Sequence, residues 1–193
     1  MAFMNNNNGG FNNNNNGGET KKKSNFKVGT IYGEDGKLNI STWNSDKGST
    51  FAVVSIVAMV GKDPATGAPV YQQKMSGELP SAFLNIAALE ATIGILKKAD
   101  PSNSNFTFDC GRSKINVIGS GNKVTITVNS QKNGEAKITF GSVNVGNVVV
   151  FPEYNLFWKY LEVCFKKAFF KKLDPDEFSA VMSSEDPSED SPF

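Results

Sequence analysis

From Phe26 onward apolar and polar residues alternate, and the alternation is broken at short intervals by turn-forming residues. A period of two places one side of a strand on a core and the other on solvent. It predicts strands over 26–33, 37–43, 51–61 and 69–78, parted by turns ending at Gly36, Gly48 and Gly67. The period then changes. Pro80-Ser81 supplies a helix start, and Ile86, Leu89, Ile93 and Leu96 recur at helical spacing. Ala82, Leu84, Ala88, Ala91 and Ile95 fill a second face, which predicts a helix buried on more than one side, closed by Lys97-Lys98 and Asp100-Pro101. The same order then begins again. Strands are expected at 105–110, 113–118, 123–129 and 136–140, with a further extended run at 143–151. An aromatic-rich helix follows from Pro152 to Lys172. The expected fold class is α+β, in two units, each a four-stranded antiparallel sheet followed by a helix.

The two ends differ from this body. Residues 1–23 are runs of Asn and Gly closed by Lys21-Lys22-Lys23, and they cannot bury enough apolar surface to offset chain entropy. A disordered arm is expected there. Residues 24–172 form the expected folded domain, a pseudo-repeat of 24–100 and 101–172, and 173–193 an acidic disordered tail. Net charge conceals this division. The chain carries 20 basic and 19 acidic side chains, but 174–193 hold seven of the acidic ones and no basic one. The body is therefore about +8 and the tail −7.

Composition removes several kinds of chemistry. The chain has no histidine, so it lacks a Ser-His or Cys-His nucleophile pair, an imidazole zinc ligand and the usual general base near neutral pH. The acidic residues of the body are scattered, apart from the turn pair Glu34-Asp35, which disfavours a carboxylate metal centre. Cys110 and Cys164 match no metal spacing and read as reduced, partly buried thiols. Gly119-Ser-Gly-Asn-Lys123 lacks the Gly-Lys-Ser/Thr order of a phosphate loop and reads as a hairpin turn. No apolar run is long enough for a bilayer, and no secretory leader is recognisable. A non-enzyme without cofactor or metal is expected, in the cytoplasm and away from membranes.

Strand parity identifies candidate binding residues. Lys37, Asn39, Ser41 and Trp43 share a face opposite Leu38 and Ile40. Lys123, Thr125 and Thr127 oppose Val124, Ile126 and Val128. Arg112, Lys114 and Asn116 oppose Ile115 and Val117; Lys137 opposes Ile138; Lys74 sits with Gln72. Any one such face would suit simple solvation. Lysine recurring over several strands without acidic partners favours a surface for a phosphate backbone, which lysine follows without demanding a particular base. Arg112 is the only arginine, which disfavours base reading in duplex grooves. Aromatic platforms for unstacked bases are the other requirement. Trp43 is the leading candidate, followed by Tyr32, with Phe51 and Tyr71 behind; Phe106 and Phe108 are assigned to the core.

The ending Glu189-Asp190-Ser191-Pro192-Phe193 presents one apolar anchor amid negative charge. It resembles the C-terminal tip of bacterial single-stranded-DNA-binding proteins and the acidic, Phe-terminated tails of their phage counterparts. The order of elements in 24–172 resembles the Whirly proteins and the transcriptional positive-cofactor fold; an oligonucleotide-binding β-barrel is the alternative. These resemblances imply a largely sequence-independent single-stranded-DNA-binding protein of phage or bacterial replication, recombination or repair. Its tail, through Glu189, Asp190, Pro192 and Phe193, would recruit a polymerase, primase or helicase. Self-association into a homo-oligomer is compatible with this. Two other functions stay open, a regulator acting on melted DNA or RNA, and an assembly protein with an acidic interaction tail.

Overall fold

The computed structural model describes residues 26–74 and 76–170. The Asn/Gly arm and the acidic tail, with Glu189, Asp190, Pro192 and Phe193, lie outside the described residues. Within them the alternating segments form two antiparallel sheets. β1 (Phe26–Tyr32), β2 (Gly36–Asn44) and β3 (Thr50–Lys62) make a meander. β3 is long enough to take two short partners along its far edge. β4 (Pro69–Tyr71) pairs with its end at Met59–Lys62, and β5 (Ser81–Leu84) pairs with Ala52–Ser55. α1 (Ile86–Lys98) follows directly. Its N-cap is Asn85, whose side-chain oxygen accepts from the Ala88 N–H at 2.9 Å and so satisfies one of the orphan donors of the first turn.

The second sheet is a plain meander of β6 (Asn105–Asp109), β7 (Ser113–Ser120), β8 (Lys123–Ser130) and β9 (Gly134–Gly141). Gly121, at φ +61°, occupies the left-handed region in the tight β7–β8 turn, which explains the Ser-Gly-Asn sequence there. A separate small hairpin, β10 (Val143–Val145) with β11 (Val148–Val150), leads into α2 (Pro152–Phe170).

One core serves both units. Leu38, Ile40, Val54, Ile56 and Leu84 of the first sheet join Ile115, Val117, Ile126, Val128, Ile138 and Phe140 of the second, all buried. The helices add Leu89, Ile93 and Leu96 from α1, and Tyr154, Phe157, Leu161 and Cys164 from α2. α2 packs along α1 and across β1, β2 and β3. The Tyr154 hydroxyl donates to the Leu96 carbonyl at 2.8 Å, joining the start of α2 to the end of α1. Gly29 on β1 lies under the ring of Tyr160, where a Cβ would collide with the aromatic carbons. The two sheets are fastened at a corner. The Glu34 N–H donates to the Thr139 carbonyl at 2.9 Å, and the Asp35 carboxylate accepts from the Thr139 N–H at 2.7 Å and its hydroxyl at 3.2 Å. The turn pair Glu34-Asp35 is thus a clasp between units.

The architecture is α+β, and three expectations need correction. The first sheet has five strands, because β4 and β5 both use the edge of β3. The expected strand over 69–78 ends at Tyr71, and a 3-10 turn occupies Ser76–Glu78; Lys74 therefore sits exposed in a connection and belongs to no strand face. Ser81–Leu84 extends as β5 where a helix start was expected. The unpaired edge of β3 offers ladder hydrogen bonds, and Ala82 and Leu84 alternate inward while Phe83 points out. With those two residues gone from the helix, α1 buries one side only, and Ile95 is left 43% exposed. Among the described residues no helix is long and apolar enough to cross a membrane.

Candidate nucleic-acid interface

The outward face of the first sheet is built by the same alternation that builds the core. On β2 the buried residues are Leu38, Ile40 and Thr42, so Lys37, Asn39, Ser41 and Trp43 project the other way. Register then decides their neighbours. Trp43 stands opposite Phe51 on β3, and Val53, two residues on, stands opposite Phe83 on β5. The indole lies 5.6 Å from the Phe51 ring and 5.9 Å from the Phe83 ring, centroid to centroid, the latter edge-on at 79°. This aromatic cluster is only half-buried, and Phe83 is 43% exposed.

The cluster forms one wall of a groove of about 1180 Å³. The opposite wall comes from two turns of the second sheet, β6–β7 with Arg112 and β8–β9 with Lys132. Asp109, Gln131 and Asn133 add hydrogen-bonding groups. Asn133 is itself positioned, since its amide donates to the Gly77 carbonyl at 3.0 Å and the Leu79 carbonyl at 2.8 Å. Cys110 also lines the groove; burial, reinforced by the Asp109 charge, pushes its thiol up to about 11. The raised value favours the thiol over the thiolate at neutral pH.

At the other end of the same face, Tyr32 is 62% exposed and lies 6.3 Å from Tyr71, ring to ring, while the Lys37 ammonium sits 4.5 Å above the Tyr71 centroid. Lys37 and Trp43, six residues apart on one strand, are separated by roughly 20 Å. Asn39, Ser41, Ser55 and Ser81 occupy the interval together with Val53, so the face reads aromatic, mainly polar, aromatic.

The second sheet has a different outer face. Lys114, Lys123 and Lys137 are exposed on β7, β8 and β9 among threonines and asparagines, with Ile118, Asp109 and Glu135 on the same face and no aromatic ring. The parity assignment of these three holds, but the expectation that the lysines lack acidic partners does not. Lys123 pairs with Glu34 at 2.8 Å, and Lys114 stands opposite Asp109 in the β6–β7 register. The pair at Lys123 is half-exposed and weak.

The structure thus divides the candidates. Trp43 and Arg112 meet in the groove; Lys37 and Tyr32 meet at the far end of the first sheet; Lys114, Lys123 and Lys137 share the second sheet; Lys74 joins none of them. Phe83 and Lys132 were not foreseen. The alternation of Ser81-Ala82-Phe83-Leu84 between Pro80 and Asn85 was the available signal for Phe83. Lys132 carries none, because turn lysines are common. Among the described residues no cluster of His, Cys, Asp or Glu is placed to hold a metal ion. No family model, curated protein or solved structure matches the chain significantly.

Proposed function

We propose that this protein binds single-stranded nucleic acid, DNA foremost, with little sequence preference and without catalysis. The observation that carries this reading is the half-exposed Trp43–Phe51–Phe83 cluster facing Arg112 and Lys132 across one groove. Stacking of a base on an aromatic ring contributes roughly 1–3 kcal/mol and tolerates any base, because every base has a π-face. The guanidinium and the ammonium across the groove suit the phosphates that accompany the stacked bases. A duplex keeps its bases stacked and offers nothing to such a platform.

The fold is compatible with this use. Two sheet-and-helix units with open sheets support a Whirly-like reading over a closed oligonucleotide-binding barrel, since the strands of the two units form separate sheets. The acidic ending, through Glu189, Asp190, Pro192 and Phe193, would engage a polymerase, primase or helicase. Without a partner it would compete with nucleic acid for the basic body, as the +8 and −7 division suggests.

The test is fluorescence anisotropy of a labelled oligo-dT at two salt concentrations, with duplex DNA as competitor. Tight, salt-sensitive binding that duplex does not displace is expected. No binding at low salt, with or without residues 174–193, would overturn the reading.

A further inference from the structure

The chain has two tryptophans, and they sit in two different grooves. Trp158, on α2, is half-buried and lines a groove of about 830 Å³. The end of α1, the β7–β8 turn, the β10–β11 hairpin and the first turns of α2 enclose it. Two cations from different helices gather on the indole. The Lys97 ammonium lies 5.1 Å and the Lys159 ammonium 5.7 Å from its centroid. The ring orientation is held by its N–H, which donates to the Asn155 side-chain oxygen at 3.3 Å. Asn122, Asn144 and Ser142 supply amides and a hydroxyl along the walls and Val149 an apolar surface, while the Asp100 carboxylate, also in the lining, is engaged by the Ser102 N–H at 2.9 Å and hydroxyl at 2.7 Å.

We propose that this groove is a second binding site for single-stranded nucleic acid, taking a nucleobase against the Trp158 indole and an adjoining phosphate on Lys97, with Lys159 at the ring just outside the groove lining. The inference rests on the function proposed above and adds a separate site to it. The chemistry is that of an aromatic platform with cations lying over it, which a stacking base displaces from the ring toward its own phosphates: the base needs an indole face, and the phosphate needs an ammonium close to that face. Amide side chains satisfy base edges as donor or acceptor, which keeps the site tolerant of sequence. Lys97 also pairs with Glu162 at 3.2 Å, but that pair is substantially exposed and gives way readily to a phosphate. The volume falls in the ordinary range for small-molecule pockets, roughly 300–1,000 Å³.

The two grooves lie at opposite ends of the second sheet. The Trp43 groove reaches Ser113 and Ser130, where β7 begins and β8 ends; the Trp158 groove reaches Gly121 and Asn122 in the turn between these strands. A strand of eight residues spans roughly 25 Å. A short oligonucleotide therefore occupies one groove, whereas a longer one passes Lys114, Lys123 and Lys137 and fills both. This gives the lysine face of the second sheet, which has no ring of its own, the part of a track between two platforms.

The two tryptophans make the test direct. In the full chain, Trp158→Phe leaves Trp43 as the only indole, and Trp43→Phe leaves Trp158. Each variant is titrated with a short and a long oligo-dT, with intrinsic fluorescence and anisotropy of the labelled strand read together. The expected result is quenching of Trp158 emission by the long strand, saturating with the anisotropy change. In addition, Lys97→Ala combined with Lys159→Ala weakens binding of the long strand several-fold and diminishes the quenching of Trp158 emission. If the anisotropy shows binding and Trp43 emission is quenched while Trp158 emission stays constant at every length, the second site is wrong and the proposed function stands. If neither length binds, both fall.

Discussion

The edge of the Trp43 indole meets the ring of Phe83 at 5.9 Å and 79°, across the whole width of β3, which lies between their strands. Trp43 is thereby packed on the surface of the sheet against Phe51 of β3 and, beyond it, Phe83 of β5. A platform already in place costs a bound base little ordering entropy. Trp43→Ala is expected to weaken oligo-dT binding by roughly ten- to a hundredfold, the equivalent of one stacked base, with Trp43→Phe retaining most of the affinity. Anisotropy titrations alongside thermal melts separate lost stacking from lost stability.

Arg112, across the groove, is expected to act on phosphate. Arg112→Ala should weaken binding about equally for oligo-dT and oligo-dA and lower the slope of log K against log salt by about 0.7, the share of one phosphate contact on a single strand. A loss confined to one base composition would instead assign Arg112 to base recognition.

Removing residues 174–193 takes away seven negative charges, which under the proposed function compete for the basic body. Affinity for oligo-dT should rise, and the gain should be largest at low salt and shrink as salt screens the competition. Equal affinity of full-length and truncated chains at low salt would count against competition by the tail.

The Asp35 carboxylate holds Thr139 by two hydrogen bonds at the junction of the sheets. Asp35→Ala leaves a half-buried N–H without its acceptor and should cost about 1–3 kcal/mol in urea unfolding. Asp35→Asn keeps an oxygen for the Thr139 N–H and an amide that the Thr139 hydroxyl oxygen can accept from, so its loss should be smaller.

Stability should also decline in alkali. Burial pushes the Cys164 thiol up to about 12, against an opposing pull from Lys167, and pushes the Tyr154 phenol up to about 12. Both groups lose their protons in the unfolded chain first, from ordinary values of 9.0 and 10.0, so rising pH favours unfolding. Their contribution is complete below about pH 9 and disappears progressively toward pH 12. Tyr154→Phe gives up the bond to Leu96, costing about 1 kcal/mol near neutrality, and should show a shallower alkaline decline. Urea midpoints measured across that range check both statements.

Much of the fold could be read from alternation, because each sheet has one wet face and one dry face. The inward sets on β2, β7, β8 and β9 follow parity, and a half-buried sheet tolerates no slip of one residue. Ser81–Leu84 departs from its local pattern, because Pro80-Ser81 carries a helix-start signal and only the distant edge of β3 makes those residues a strand. The site was legible in part. Trp43 and Lys37 could be placed on one face from their own strand, but no local pattern brings Arg112 to Trp43. That meeting is made by the packing of one sheet's turns against the other sheet's face. Lys123 was read as an unpaired cation because Glu34, its partner, belongs to the other unit.

The position of α2 in the chain has a consequence for biosynthesis. Its buried side covers β1, β2 and β3, the first strands of the body to leave the ribosome, and Tyr154 ties it to α1. A nascent chain that has completed the first sheet still displays Leu38, Ile40, Val54 and Ile56 without the second sheet and α2, which complete the core around them. Folding is therefore expected late and in a single event, and a chain halted before Pro152 should be a client for chaperones and proteases with no native half to protect it.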